Sequence, residues 1–253
     1  MPDLKRPLAW EHVFQEYCAS HDFSRQPLRI SAEQIKTVTS NFEPRILAKM
    51  DTREDVPPTL RDRGLFVLPI RNGLYVILEG EGFHDLEEIT SDPIETVSHL
   101  DFQLRSARVG NSEAQHVDYA FNVSLLRRFV GIDKLYLQIR GRKYTPRFEF
   151  RVGNHHLTVE SVQTEVDGGF EGRDAILLVE SKNVAVGNFI IRQLYYPFRQ
   201  WRIETRKPVR SLFFSKQGAV YRFWEYAFDD ETDYNSIRLV QAAQYRLRED
   251  GRP

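Results

Sequence analysis

One cysteine, Cys18, and two methionines are all the sulfur in 253 residues. A single thiol excludes an internal disulfide framework and fits a reducing compartment, so a cytoplasmic protein is expected. Cys18 itself reads as a packed helix residue. No apolar run approaches the ~20 residues of a membrane-spanning helix, and the start MPDLKRPLAW lacks the apolar stretch of a signal sequence. No membrane association is expected. Charge of one sign is also missing: 35 Lys and Arg against 36 Asp and Glu leave a formal net charge of −1, which does not announce a nucleic-acid binder. His155 and His156 have no Cys or His partner at zinc-site spacing and read as surface residues. A phosphate-cradling Gly-Lys-Ser/Thr loop is absent too, which argues against an NTP-driven enzyme.

What is present is a folding chain with locally concentrated charge. Apolar residues make up 41% and aromatics 12%, enough for one large domain or two small ones. Between Arg192 and Lys216 stand five Arg and two Lys against one acid, and Arg140, Arg142, Lys143, Arg147 and Arg151 cluster against Glu149. Distribution matters more than the total for a polyanion partner.

The spacing of apolar residues places the elements. Trp10, Val13, Phe14, Tyr17 and Cys18 follow a helical stripe. Ser31-x-x-Gln34 is a capping box before a second helix. Leu65–Ile70 and Leu74–Leu78 flank Arg71-Asn72-Gly73, a strong hairpin signal. The acidic, irregular stretch from Phe83 to Asp101 reads as a linker, dividing an N-terminal helical and hairpin region (1–100), suited to DNA recognition or dimerisation, from a core (101–253). Ser112-x-x-Gln115 reads as another capping box, opening a helix to Val130 that Gly131 stops. Strands are expected over Leu135–Arg140, Arg147–Val152 and Leu157–Gln163. A hairpin follows around Gln217-Gly218, and a last strand over Ile237–Leu247. The fold class is α+β with an α/β core.

Chemistry concentrates in Gln163–Trp201. Ala175–Val179 is apolar on both faces, as in a central strand covered from both sides. Glu180 and Lys182 follow, two residues apart and so on one face. Asp167 opens Asp-Gly-Gly-Phe, and a hairpin would set it opposite Glu180 and Lys182. Two carboxylates converging at a strand end offer the hard oxygen ligands that Mg²⁺ takes, and a lysine beside them can orient or deprotonate a water. Asp174, six residues before Glu180, gives a shorter hairpin and is the alternative ligand, with Glu165 and Glu171 near enough to matter. Asn188 reads as the N-cap of a helix Phe189–Tyr196 or longer, displaying Gln193 together with Arg192 and Arg199, two arginines expected to contact DNA. The Arg140-Gly141-Arg142 tip, with Lys143, suits contact with a phosphate or a guanine edge.

The spacing of Asp167 and Glu180-Ser181-Lys182, with GRKYTPRFEF and EVDGGFEG, resembles the PD-(D/E)xK nuclease superfamily, and within it a type II restriction endonuclease. Val166 stands where that family has proline. The resemblance covers roughly residues 110–202. It implies a restriction-endonuclease-like central mixed sheet flanked by helices, with Asp167, Glu180 and the Ser181 carbonyl on Mg²⁺ and Lys182 at the attacking water. Gln193 would be the polar residue that the following helix often brings near the metal. The helix before the hairpin sometimes lends an acid, for which Glu113 and Asp118 are candidates. Hydrolysis of double-stranded DNA leaving 5′-phosphates, a homodimer, and a DNA methyltransferase encoded nearby are the further implications. A repair or structure-selective nuclease and a non-catalytic DNA-binding regulator are the alternatives.

Overall fold

In the computed structural model, which describes residues 5–40 and 42–248, the first expected helix divides. Helix α1 (Lys5–Val13) passes into one π-helical turn over Phe14–Cys18. Trp10, Val13 and Cys18 are buried, and the Trp10 indole donates to the Leu47 carbonyl (3.1 Å). Strand β1 (Leu28–Ser31) leads into α2 (Ala32–Val38), where the Ser31–Gln34 capping box closes reciprocally. Short helices α3 (Pro44–Leu47) and α4 (Pro58–Arg61) each begin with proline at the first helical position. The hairpin of β2 (Leu65–Arg71) and β3 (Leu74–Glu79) forms as its sequence demands, with Gly73 at φ +73° in the turn. With β1 it makes a three-stranded sheet.

The stretch expected to be a linker is built into the structure instead. It supplies β4 (Phe83–Asp85) and β5 (Ile94–Val97), and β5 joins the main sheet as an edge strand. The helix expected from Ser112 to Val130 is two helices, α5 (Glu113–Asn122) and α6 (Leu125–Val130), broken where Ser124 turns left-handed at φ 64°. Gly131 ends α6 at φ 69°, where the absence of a Cβ removes the strain. At Ser112 only half the capping box forms: its hydroxyl accepts from Gln115 N (3.2 Å), while the Gln115 amide donates to the Ser106 and Val109 carbonyls.

The chain then runs through β6 (Tyr136–Ile139), β7 (Lys143–Tyr144), β8 (Phe148–Val152), β9 (His155–Val159), β10 (Gln163–Thr164), β11 (Gly168–Glu171) and β12 (Ile176–Lys182). After β13 (Asn188–Ile190) come α7 (Arg192–Thr205), β14 (Val209–Gln217), β15 (Val220–Phe228) and β16 (Ile237–Arg248). The main sheet has seven strands in the order β5-β16-β15-β14-β12-β11-β6, mixed because β12 runs parallel to β14 and β16 parallel to β5.

Asn188 does not cap a helix. It begins β13, which pairs with β4, and its side chain accepts from Arg53 N (2.7 Å) and donates to Glu54. Helix α7 therefore starts at Arg192 and continues to Thr205 through Pro197. Proline has no N–H, so the Gln193 carbonyl lacks its usual intrahelical donor.

Period-two alternation in β12 sorts the two faces. Leu177 and Val179 pack with α5 and α6 through Val117, Ala120 and Leu126, while Ile176 and Leu178 face the side of α7 with Trp201. A larger cluster joins the N-terminal helices and hairpin to the core, from Trp10 and Phe66 to Tyr196 and Phe213. Among the described residues no helix is long and apolar enough to cross a membrane.

Candidate active site

Pairing of β11 with β12 sets Gly168 against Val179, so Asp167 falls opposite Glu180 as the hairpin reading requires. The Asp167 amide donates to the Val179 carbonyl (3.1 Å), and its carboxylate accepts from the Ser181 amide (2.8 Å). Two backbone bonds thus fix the acid at the end of the central strand. Glu180 lies on the α7 side, where its Oε1 accepts from Lys182 Nζ (2.7 Å) and Gln193 Nε2 (2.9 Å). The Gln193 amide also reaches Asp51 Oδ1 (3.4 Å). Asp51 in turn pairs with Lys49 (3.2 Å), and its carbonyl accepts from Ile190 N.

Electrostatics follow from this enclosure. Burial pushes the Glu180 carboxyl up to about 7; Lys182 opposes the shift, and the charges of Asp167 and Asp51 add to it. Burial also raises Asp167 to about 6, with Glu113 adding, and the Ser181 amide, Lys182 and Arg140 restraining the rise. Burial alone would depress the Lys182 ammonium, but the charge and hydrogen bond of Glu180 outweigh it and raise the group. Negative charge is therefore in excess at this point, a condition that a cation relieves.

The donor set suits a hard cation. It consists of carboxylate oxygens, the main-chain carbonyl of Ser181 and the Gln193 Oε1, which is buried without a hydrogen-bond partner. Among the described residues no three His, Cys, Asp or Glu side chains stand ready-made around one point, so an ion here would draw on the backbone and the amide as well.

Other expected residues sort by position. Glu113, in the first turn of α5, is half-buried, and its charge acts on Asp167 and Lys182. Arg140 bridges Asp118 and the Asp167 carbonyl, which makes it a support of the acid more than a free phosphate contact. Arg142 and Arg192 line the cleft above Glu180, and Lys143 is exposed in β7 beside it in sequence. Glu165 lines the same cleft and pairs with Arg142 (3.5 Å).

Two expectations are corrected. Asp174 is exposed in the turn at the far end of β12, roughly 20 Å from Glu180 at the rise of a strand, so it cannot share a ligand with it. Arg199 is 7% exposed, and its guanidinium donates to the Glu149 and Glu231 carbonyls and the Tyr195 hydroxyl over the Phe148 ring. It is a packing residue and unavailable to DNA. Asp51 is the residue that sequence reasoning missed. No motif marks it, and only the fold carries it to Gln193, 142 positions away.

The chain belongs to the family described as Domain of unknown function (DUF6997), which matches residues 78–246. Residues 7–77 match a second family, Domain of unknown function (DUF6996). The division falls at 77/78, ahead of the boundary expected at residue 100. No curated protein and no solved structure matches.

Proposed function

We propose that the protein is a Mg²⁺-dependent DNA endonuclease of the PD-(D/E)xK kind, acting as a type II restriction enzyme on double-stranded DNA. The observation that carries this reading is the meeting of Asp167, Glu180, Lys182 and Gln193 at one strand end, where Glu180 and Gln193 line a cleft together with Arg142 and Arg192. Asp167, Glu180 and the Ser181 carbonyl would hold the metal. Bound there, Mg²⁺ neutralises charge on the scissile phosphate and acidifies a water.

The chain's own groups do the rest. Lys182 is two residues from Glu180 on the same face, and its ammonium would orient the attacking water; only its neutral form, which Glu180 disfavours, could take the water's proton. Gln193 holds Glu180 through Nε2. Arg192 makes no ion pair among the described residues and stands in the cleft as an anion contact. In-line attack would leave a 5′-phosphate. Cutting both strands of a palindrome is most simply done by a homodimer, and a methyltransferase encoded nearby would protect the host.

The direct Lys182–Glu180 contact favours a second reading, a DNA-binding regulator whose strand-end charges are structural. Cleavage of unmethylated phage DNA separates the two. The nuclease reading expects a fixed ladder with Mg²⁺, and a loss of at least about a hundredfold for Lys182→Ala, the low end for a positioned acid–base group. Binding without cutting by the wild type would favour the regulator, and a smear or nicking at distorted sites would favour a repair or structure-selective nuclease.

A further inference from the structure

The cleft above Glu180 has walls of two origins. One belongs to the core and carries Arg142 and Glu165. The other comes from the N-terminal region that matches a separate family, and it carries Arg45, Lys49 and Arg71. The open cleft has a volume of about 560 Å³, the scale of one or two nucleotides of one backbone and not of a whole duplex.

The N-terminal wall is fixed relative to the site. Lys49 is two residues from Asp51, whose carboxylate meets Gln193 and whose carbonyl holds Ile190 N. Arg71 ends β2, and the Pro69 carbonyl on the same strand accepts from the Tyr196 hydroxyl of α7 (3.0 Å). Helix α7 carries Gln193, so wall and acid cannot drift apart independently.

Its three cations are held loosely where they stand. Arg45 pairs with Glu43 (3.2 Å), Lys49 with Asp51 (3.2 Å) and Arg71 with Glu160 (2.9 Å), and their side chains are 68%, 68% and 62% exposed. Exposed pairs of this kind are worth little, so exchanging a carboxylate for a phosphate carries a small penalty. Three cations from the N-terminal region and Arg142 and Arg192 from the core line one cleft, a concentration of positive charge suited to a polyanion. Glu43 and Glu165 stay with the wall arginines they pair with, and Asp51 and Glu180 meet at Gln193, where the reacting phosphate would sit.

We propose that Arg45, Lys49 and Arg71 are a phosphate-binding wall, so that one DNA backbone passes between the N-terminal region and the core with its scissile phosphate over Glu180. The placement of that phosphate rests on the nuclease reading; the wall itself does not.

The test uses the full chain, a short fluorescent duplex and buffer containing EDTA, with affinity read by anisotropy between about 50 and 200 mM salt. The triple variant Arg45→Gln/Lys49→Gln/Arg71→Gln should lower the slope of log affinity against log salt by about 3, about 1 per contact removed. Arg246→Gln/Arg248→Gln, which removes the partners of Glu95 at the opposite edge of the sheet, should leave the slope unchanged. The three single variants carry the test if the triple variant fails to fold. A wild-type slope in the wall variants, an equal fall in the control, or no binding by the wild type would overturn the proposal. Cleavage by the wild type with Mg²⁺ is scored separately. Wall-dependent binding without cleavage removes the nuclease and keeps the wall, whereas cleavage with wall-independent binding does the reverse.

Discussion

Asp167 and Glu180 are carboxylates kept where their charged forms are disfavoured, and that has a sign. A carboxyl whose folded pKa lies above its ordinary value contributes stability below the ordinary range of about 4 and loses it as pH rises through the folded value. For Asp167 that loss sets in near 4 and is complete above about 6, and for Glu180 it is complete above about 7. Asp167→Asn keeps an oxygen for the Ser181 amide but removes the charge. Its melting temperature should gain on wild type more at about pH 8 than at about pH 5, and on the nuclease reading it would lose cleavage; equal shifts at both pH values would contradict the enclosure described for this acid. Lys182→Met strands Glu180 without its cation. Removing one partner of a buried pair costs about 3–5 kcal/mol, and denaturant titration should find that loss at alkaline pH and a much smaller one once pH falls below the Glu180 value and the carboxyl protonates. On the nuclease reading, Mg²⁺-dependent activity would rise with pH across the same interval, because carboxylates proposed as ligands must be deprotonated to bind metal.

The element that sets the site is the β11–β12 hairpin, and its glycines are chosen by their neighbours. A Cβ on Gly169 would lie 2.3 Å from Ile139 Cβ, and one on Gly168 would lie 2.7 Å from Val117 Cγ1. Gly169→Val should therefore cost about 1–3 kcal/mol or more by overpacking, read as a lowered denaturation midpoint, and should shift Asp167 with it. This hairpin was legible because its signals are local: Asp-Gly-Gly, an apolar run, then Glu-x-Lys. Other parts depend on partners far along the chain. Asn188 looks like a helix cap until Arg53 and Glu54, more than 130 positions earlier, claim its side chain. Arg199 lies in a cation-rich helix that reads as solvated surface, yet the main-chain carbonyls of Glu149 in β8 and Glu231 in the turn before β16 enclose it. Arg199→Ala should destabilise the fold and leave the salt dependence of DNA binding unchanged, the reverse of what the wall variants are expected to do. Asp51 offered no local signal at all.

Across the whole molecule, two regions with separate family matches share one hydrophobic interior. Trp10, Ile30 and Phe66 from the first pack in the same cluster as Tyr196, Phe213 and Trp224 from the second. Heat or denaturant should accordingly produce one transition, with fluorescence and circular dichroism coincident. A fragment beginning at residue 78 should fail to fold cooperatively, because truncation leaves apolar surface around Tyr196 and Phe213 uncovered. Two resolved transitions, or a stable fragment, would show that the shared cluster is an interface between independent units.

The edge strand β5 gives this architecture a timetable. Its partner is β16, and Tyr245 pairs with Ile94, 151 residues later in the chain. A ribosome adding roughly 5–20 residues per second spends on the order of ten seconds or more between them. Throughout that wait β5 has no partner in the sheet, whereas β14 joins β12 about thirty residues before Tyr245 is made. The sheet is therefore finished from the outside last: its centre can assemble while the strand that closes one edge still waits for its partner.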